Sequence, residues 1–404
     1  MLRNAVLALL MTSCAAWAQA FDTEATSAVI VDHNTGQVLL SKNADLPLPP
    51  ASMSKLMTLY MAFEALENGR LTLETDLPVS EHAASFGGST MFLDPRDRVT
   101  VEDLIRGVVV LSGNDATVVL GEALSPDGTE DAFAELMTQR ARELGMNDSV
   151  FRNASGWPAA GHVMSMKDLA TLAELLITDF PQYYPYFAET EFAFDGRSPS
   201  NRFNRNPLLR LDIGADGLKT GHTQEAGYGL VGSATQDDRR VTFVISGLDT
   251  AAQRASESER IVNWAFRQFA EEILFEGSGD PVMEAQVFLG EAATVQLVPQ
   301  NPVTILLPVG DREALEGEIA YDGPIEAPVT AGDQIATLTL THPGVAPLEV
   351  PLVAAADVPR AGPLRRIQIA GGEVAGMVIG QVLEQFQGDG TPTDQTTPEA
   401  EAES

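Results

Sequence analysis

Ser52-Met53-Ser54-Lys55 is the one S-x-x-K run in the chain. On a helix, positions i and i+3 share a face, so the Ser52 hydroxyl and the Lys55 amine meet. Of the two strongly basic side chains, only lysine gives up its proton at accessible pH and acts as a base. The free N–H groups and dipole at a helix N-terminus disfavour a further positive charge and help to lower the lysine pKa. A hydroxyl beside a neutral amine is an activated nucleophile. Lysine is also scarce: of 25 basic residues, only Lys42, Lys55, Lys167 and Lys219 are lysines. Lys219 lies in Asp216-Gly217-Leu218-Lys219-Thr220-Gly221-His222-Thr223, which leads into the strand-like Gly227–Val231. Glycines flanking a Lys-Thr pair on a strand let a substrate backbone approach closely, as an added strand does. Between the two, Ser112-Gly113-Asn114-Asp115 follows the apolar helix pattern 101–111 and places a hydroxyl proton relay and an amide donor in one loop. Singly, each has an ordinary reading: an N-cap for Ser52, a solvated Lys55, a loop cap for Ser112, a β-turn at Gly221.

These groups need rigid elements to hold them. Residues 27–40 read as two β-strands joined by a turn at Asn34-Thr35-Gly36. Helical patterns cover 52–68, 101–111, 130–144 and 166–177, the last opening on Ser165 with Asp168 three residues on, close to a capping box. Extended runs return at 228–234 and 240–247, and a helix over 256–273 closes this part. Strands, helices, strands and a helix predict an α+β domain whose antiparallel sheet unites its two ends. The Gly/Pro linker 276–281 then marks a boundary. Short strands at 294–298, 303–308, 335–340 and 348–353 predict a small β-sandwich or barrel. It shows no cluster of His, Cys or paired carboxylates, which gives it a structural or positional role.

Charge and the two ends narrow the class. With 57 acidic residues and a net charge of -32, the chain is a poor binder of nucleic acid and of anionic membrane surfaces. Cys14 is the single cysteine, so no disulfide scaffold, cysteine-based zinc site or redox site is expected, and no metal or other cofactor. Arg3, the apolar run 5–11 and Ala18-Gln19-Ala20 have the layout of a secretory signal peptide, too short for a membrane span. The mature chain is therefore expected to begin at Phe21. The helix-like 372–386 has Ala375, Ile379, Val382, Leu383 and Phe386 on one side. It either lies in a membrane interface, as a peripheral contact, or packs on the β-domain. Residues 387–404 read as a disordered acidic tail. The divisions are a signal peptide at 1–20, a peptidase domain at 21–276, a β-domain at 277–362, a terminal helix at 363–386 and the tail.

The order S-x-x-K, S-x-N, K-T-G resembles the signature of penicillin-binding proteins and active-site-serine β-lactamases. More closely, Pro50-Ala51-Ser52-Met53-Ser54-Lys55, Leu111-Ser112-Gly113-Asn114-Asp115, Asn204-Arg205-Asn206, Asp216 to Thr223 and Ala226-Gly227-Tyr228 resemble the low-molecular-mass penicillin-binding proteins that are D-alanyl-D-alanine carboxypeptidases. The resemblance covers roughly residues 27–275 and, more loosely, the β-domain. It implies a β-lactamase/transpeptidase-like α+β fold, a periplasmic location, peptidoglycan stem peptide as substrate and β-lactam antibiotics as covalent inhibitors. Ser52 would form the acyl-enzyme and Lys55 would be the base. Ser112 would pass a proton to the leaving D-Ala and Asn114 would hold the peptide amide. Lys219, Thr220 and Thr223 would meet the substrate carboxylate beside Gly221, with the N–H groups of Ser52 and His222 as oxyanion hole. Arg254 sits where the family carries a carboxylate-assisting arginine, against the alternative of a solvated surface arginine, and Arg205 is a second source of positive charge.

Two departures bear on packing: Pro207 replaces the family's usual glycine and Arg210 its usual aromatic residue. No E-x-x-L-N run lies between Ser112 and Lys219, so the deacylating glutamate of a class A β-lactamase is missing. Slow β-lactamase, D,D-endopeptidase and a non-catalytic β-lactam or muropeptide sensor are the alternatives on the same fold. Retention of Ser52, Lys55, Ser112 and Lys219 together argues against the sensor.

Overall fold

The fold comes from a computed structural model that describes residues 21–366, apart from 198, 199, 278 and 344. The expected signal peptide, the helix at 372–386 and the acidic tail lie outside the described residues. Strands β1 (Ser27–Asp32) and β2 (Val38–Lys42) open the chain. Helix α1 (Lys55–Glu67) follows, then a small ribbon of β3 (Asp76–Pro78) with β4 (Arg98–Thr100), which brackets α2 (Glu81–Ala84). Helices α3 (Val101–Arg106), α4 (Asn114–Leu124), α5 (Glu130–Glu143) and α6 (Met166–Asp179) come next. Then come β5 (Ala215–Thr223), β6 (Gly227–Gln236), β7 (Arg239–Leu248) and helix α7 (Ala251–Gln268).

The main sheet has the order β2-β1-β7-β6-β5 and is antiparallel throughout. Ser27 pairs with Ser246 and Asp32 with Val241, so the sheet does unite the two ends of this part of the chain. Alternation sorts its residues by face. Val29, Val231 and Val244 enter the core shared with Leu56, Leu59, Leu169 and Leu172, whereas Ile30, Leu230, Phe243 and Ile245 pack with Ile261, Val262 and Ala265 of α7. Helices thus cover both faces, which explains why β6 and β7 read as continuous apolar runs. Asp32, fully buried, accepts from the Thr35 N–H and hydroxyl at 2.9 and 2.8 Å and pairs with Arg239 at 2.6 Å, which fixes the predicted 34–36 turn.

Local chemistry accounts for where the sequence reading and the structure part. At α6, Ser165 Oγ accepts from the Asp168 N–H at 3.0 Å as expected. The Asp168 carboxylate, however, binds the Asp148 N–H and the Ser149 hydroxyl instead of reaching back, so half of the capping box forms. The helix expected over 101–111 is α-helical only to Arg106 and widens into a π turn over Gly107–Leu111. The helix expected over 256–273 runs instead over Ala251–Gln268, capped by Thr250 Oγ, which accepts from the Gln253 N–H. Residues Phe269–Phe275 form strand β8. No glycine or proline separates the helix from this strand, so nothing in the sequence marked the change.

Strands β9 (Met283–Phe288), β10 (Thr294–Pro299), β11 (Val303–Pro308), β12 (Glu316–Tyr321), β13 (Ile325–Glu326), β14 (Gln334–His342) and β15 (Val345–Ala354) complete the described chain. Six of them form one curled sheet in the order β12-β14-β15-β10-β9-β13, and β11 pairs with β8. The chain divides into two compact units: residues up to Glu271 with Leu306–Leu315 and His342–Ala346, and the remainder. The fold class is the expected one, α+β followed by an all-β part. Among the described residues no helix is long and apolar enough to cross a membrane.

Candidate active site

Pro50 leads into a 3₁₀ turn, Ala51–Ser54, which runs directly into α1. In a 3₁₀ turn, positions i and i+3 eclipse, and Lys55 Nζ lies 2.9 Å from Ser52 Oγ. Lys55 is fully buried, against Asn114 Oδ1 at 2.8 Å and the Ser155 carbonyl. Asn114 Nδ2 donates to the Gly87 carbonyl at 2.8 Å, which fixes Oδ1 as the atom facing the lysine. Burial, then the charge of Arg205, pushes the Lys55 amine down to about 7, against opposing pulls from Asp115 and Glu130. Burial rather than the helix terminus is therefore the leading cause of the shift. A neutral amine has two N–H bonds and one lone pair. Asn114 Oδ1 and the Ser155 carbonyl only accept, so they take the two N–H bonds and leave the lone pair to the Ser52 hydroxyl.

Ser112 ends the π turn in the left-handed region, φ 60°. Such a conformation is rare for a residue with a Cβ and costs on the order of 1–3 kcal/mol. It reverses the chain so that Asn114 opens α4; Asn114 and Asp115 are thus helical, not loop residues as the sequence suggested. Lys219 Nζ donates to Ser112 Oγ at 2.9 Å and to the Thr220 carbonyl at 3.0 Å. Burial pushes the Lys219 amine well below its ordinary range, and Lys55, Arg205 and Arg254 push the same way. Arg205 donates to the Leu111 carbonyl at 2.6 Å and to Ser89 Oγ at 3.0 Å. Arg254 is buried, not solvated. It donates to the Arg205 carbonyl at 3.3 Å and lies 5.7 Å from the Tyr228 ring centre, while its Nε has no partner. Four basic side chains, Lys55, Lys219, Arg205 and Arg254, thus converge in a chain of charge -32.

β5 is the edge of the main sheet, where backbone groups are open to an added strand. It lies hard against the turn that carries Ser52: a Cβ on Gly221 would come 2.9 Å from Met53 Cγ and 3.0 Å from the Pro50 carbonyl oxygen. Thr220 is buried, whereas His222 is exposed and stacks on Tyr228 with ring centres 3.8 Å apart. Thr223 Oγ1 accepts from the Ala226 N–H at 3.0 Å and holds the turn into β6. The structure therefore brings Ser52, Lys55 and Asn114 into one hydrogen-bonded group and Ser112 with Lys219 into a second, side by side under the β5 edge.

A family profile described as D-alanyl-D-alanine carboxypeptidase matches residues 14–250. The chain belongs to the D-alanyl-D-alanine carboxypeptidase family. A second profile, the penicillin-binding protein 5 C-terminal domain, matches residues 273–360. The carboxypeptidase DacF of Bacillus subtilis is 35% identical over 84% of this chain and 87% of its own length. Penicillin-binding protein 5 from Haemophilus influenzae superposes with a TM-score of 0.72 at 32% identity, over 84% of this chain and 98% of that one. Penicillin-binding protein D2 from Listeria monocytogenes, solved with ampicillin bound, gives 0.55 at 31% identity over 60% and 98%. This D-alanyl-D-alanine carboxypeptidase is a serine-type hydrolase of the penicillin-binding family, as its motifs led us to expect.

Several groups that shape the carboxypeptidase site escaped the sequence reading. Asn153 Oδ1 accepts from the N–H groups of Ser155, Gly156 and Trp157 at 3.2, 2.8 and 3.2 Å, which aims the Ser155 carbonyl at Lys55. Thr58 Oγ1 donates to the Ala154 carbonyl at 2.7 Å and staples this loop to α1. Buried Asp115 accepts from the N–H groups of Met91 and Leu93, holding the loop that carries Gly87. The available signal was Asn153-Ala154-Ser155-Gly156, an asparagine three residues before a glycine, where Asx turns form. Gly156 has φ +74°, and a Cβ there would lie 1.9 Å from the Ala51 carbonyl oxygen. Gly156→Ala is expected to cost about 2–4 kcal/mol in urea unfolding and to slow acylation by benzylpenicillin, because the strain falls on the Ala51–Ser52 peptide. An unchanged midpoint and acylation rate would contradict that reading.

Proposed function

We propose that this carboxypeptidase removes the terminal D-Ala of peptidoglycan pentapeptide stems through an ester on Ser52. Neutral Lys55 takes the Ser52 proton as Oγ attacks the penultimate D-Ala carbonyl, and the oxyanion lies between the N–H groups of Ser52 and His222. Ser112, on Lys219, relays that proton from Lys55 to the leaving amine, so that both return to their starting states. Lys219, Thr220, Arg205 and Arg254 take the substrate carboxylate. Asn114, with one N–H of its amide uncommitted, meets the substrate amide while its oxygen steadies Lys55. Water then cleaves the ester and regenerates Ser52. The observation that carries this reading is the Ser52–Lys55 pair at 2.9 Å, with two obligate acceptors on the amine.

The chain acts outside the cytoplasmic membrane, in keeping with its A-x-A signal layout, with residues 21–276 as the catalytic part and 277–362 as the β-domain. β-Lactams acylate the same serine, as the ampicillin-bound relative suggests. Without a deacylating glutamate the penicilloyl ester is long-lived. Incubation with a pentapeptide is expected to release D-Ala, and incubation with benzylpenicillin to leave a stable mass adduct on the Ser52 peptide. Rapid turnover of benzylpenicillin without an adduct would assign a β-lactamase. Muropeptide binding with no D-Ala release would assign a sensor.

A further inference from the structure

The loop that aims the Ser155 carbonyl at Lys55 presents four consecutive backbone N–H groups, and Asn153 Oδ1 takes those of Ser155, Gly156 and Trp157. The fourth, on Ala154, donates to Glu130 Oε1 at 2.9 Å. Glu130 is 7% exposed and opens α5 just past the Thr129 cap, where free N–H groups and the helix dipole favour a carboxylate. Its second oxygen, Oε2, lies 2.8 Å from His82 Nε2. A carboxylate only accepts, so Nε2 carries the hydrogen of this bond. His82 stands on α2, half exposed, and meets the Phe86 ring edge-on with ring centres 5.1 Å apart. Phe86 precedes Gly87, whose carbonyl accepts from Asn114 Nδ2. The two carbonyls that set the geometry around Lys55, those of Ser155 and Gly87, are therefore tied to one surface histidine by separate routes.

We propose that Glu130 is a positioning residue for the acylation of Ser52: held by His82, it keeps the Ser155 carbonyl on Lys55 through the Ala154 N–H and faces the amine with a fixed negative charge. Ser155 brings only its backbone to Lys55, so the direction of that carbonyl is set by its neighbours. Ala154 is gripped at both ends, its N–H by Glu130 and its carbonyl by Thr58 Oγ1 at 2.7 Å. The charge acts separately from the grip. Facing Lys55 are Arg205 and Lys219 on the basic side, Asp115 and Glu130 on the acidic side, and His162, which burial pushes down to about 4 and so keeps neutral. The Asp115 carboxylate also serves the N–H groups of Met91, Leu93 and Ala116. Glu130 itself is faced by His82 from α2 and Lys55 from α1, with Asp131 beside it on α5. A negative charge favours the protonated amine, so Glu130 opposes the burial and the basic neighbours that drive Lys55 down. A carboxylate outside all three motifs is thus the counterweight to the basic side chains of the site. This inference rests on Lys55 as the base in the reading above and adds what holds and tunes it.

The test follows the rate of acylation by benzylpenicillin against pH, which yields a plateau and a midpoint. Glu130→Gln keeps an oxygen for the Ala154 N–H and removes the charge. It is expected to hold the plateau within about threefold and to lower the midpoint by roughly 0.3 to 1 pH unit, because the protonated amine loses a counter-charge. Glu130→Ala leaves the Ala154 N–H without its partner and is expected to lower the plateau roughly ten- to a hundredfold. His82→Phe keeps a ring beside Phe86 and removes the donor, with an expected plateau loss of roughly three- to tenfold. A merely structural role would lower the thermal midpoint and leave the pH midpoint in place. An unmoved or raised pH midpoint in Glu130→Gln overturns the proposal, whether or not Glu130→Ala folds. A wild-type plateau in folded Glu130→Ala or in His82→Phe overturns it as well. Failure of the wild type to acylate at any pH overturns the roles of Ser52 and Lys55, and this inference with them, whereas acylation without D-Ala release from a pentapeptide overturns the carboxypeptidase reading alone.

Discussion

Ser52→Ala is expected to lower D-Ala release by at least about 10⁴-fold and to abolish covalent labelling by penicillin. The size follows from the lack of a substitute nucleophile. Ser54, two residues on, is fully buried beneath Gly156, whose Cβ would lie 2.6 Å from its Oγ. Ser112 Oγ is committed to Lys219. No other hydroxyl is hydrogen-bonded to Lys55 among the described residues. The substitution removes one oxygen from a half-buried turn, so the thermal midpoint should move by only a few degrees. Labelling of the folded variant at the wild-type rate would place the nucleophile elsewhere.

The second large effect is a pH dependence. Only neutral Lys55 has a lone pair for the Ser52 proton, and its pKa lies near 7. The rate of acylation by benzylpenicillin should therefore rise about tenfold per pH unit below 7 and level off above it. Lys55→Arg, which stays charged, should lose on the order of 10³-fold or more and show no such rise. The same shift acts on stability. In the unfolded chain Lys55 binds its proton up to about pH 10.5, in the folded chain only to about 7. Between these values the unfolded state holds more protons, so this group's contribution to stability increases with pH, by at most about 5 kcal/mol. Below pH 7 its full cost is present. Unfolding of the wild type measured against Lys55→Met from pH 7 to 10 reads this directly, and a flat difference would contradict a depressed pKa.

The motifs were legible because each nucleophile, base or carboxylate partner has to come from a small set of residue types at fixed spacing. Ser52 and Lys55 meet through an i,i+3 relation that any helical turn supplies, and Lys219 is marked by the glycines that flank its Lys-Thr pair. What the sequence hid was carried by backbone atoms and by turns. The Ser155 carbonyl has no residue type to announce it, and its orientation depends on the side chain of Asn153. The π turn before Ser112 follows the same apolar residues that an α-helix would use, so periodicity gave no warning. Arg254 read equally well as a surface or a buried arginine, because only the fold brings α7 beside Arg205 and Tyr228.

The strand order carries a consequence for how the enzyme is made. β1 gains its inner neighbour only when β7 arrives, and β7 is also what joins β6 and β5 to the rest of the sheet. Pairing across so long a stretch of chain delays closure, since the loop entropy comes before the contacts that offset it. A growing chain that has not yet released Leu248 already contains the S-x-x-K, S-x-N and K-T-G motifs, yet it has no sheet on which to set Lys219 against Ser112. Competence therefore arrives late and in a single step. A carboxypeptidase built in this order has no assembled site until its chain has been released beyond Leu248.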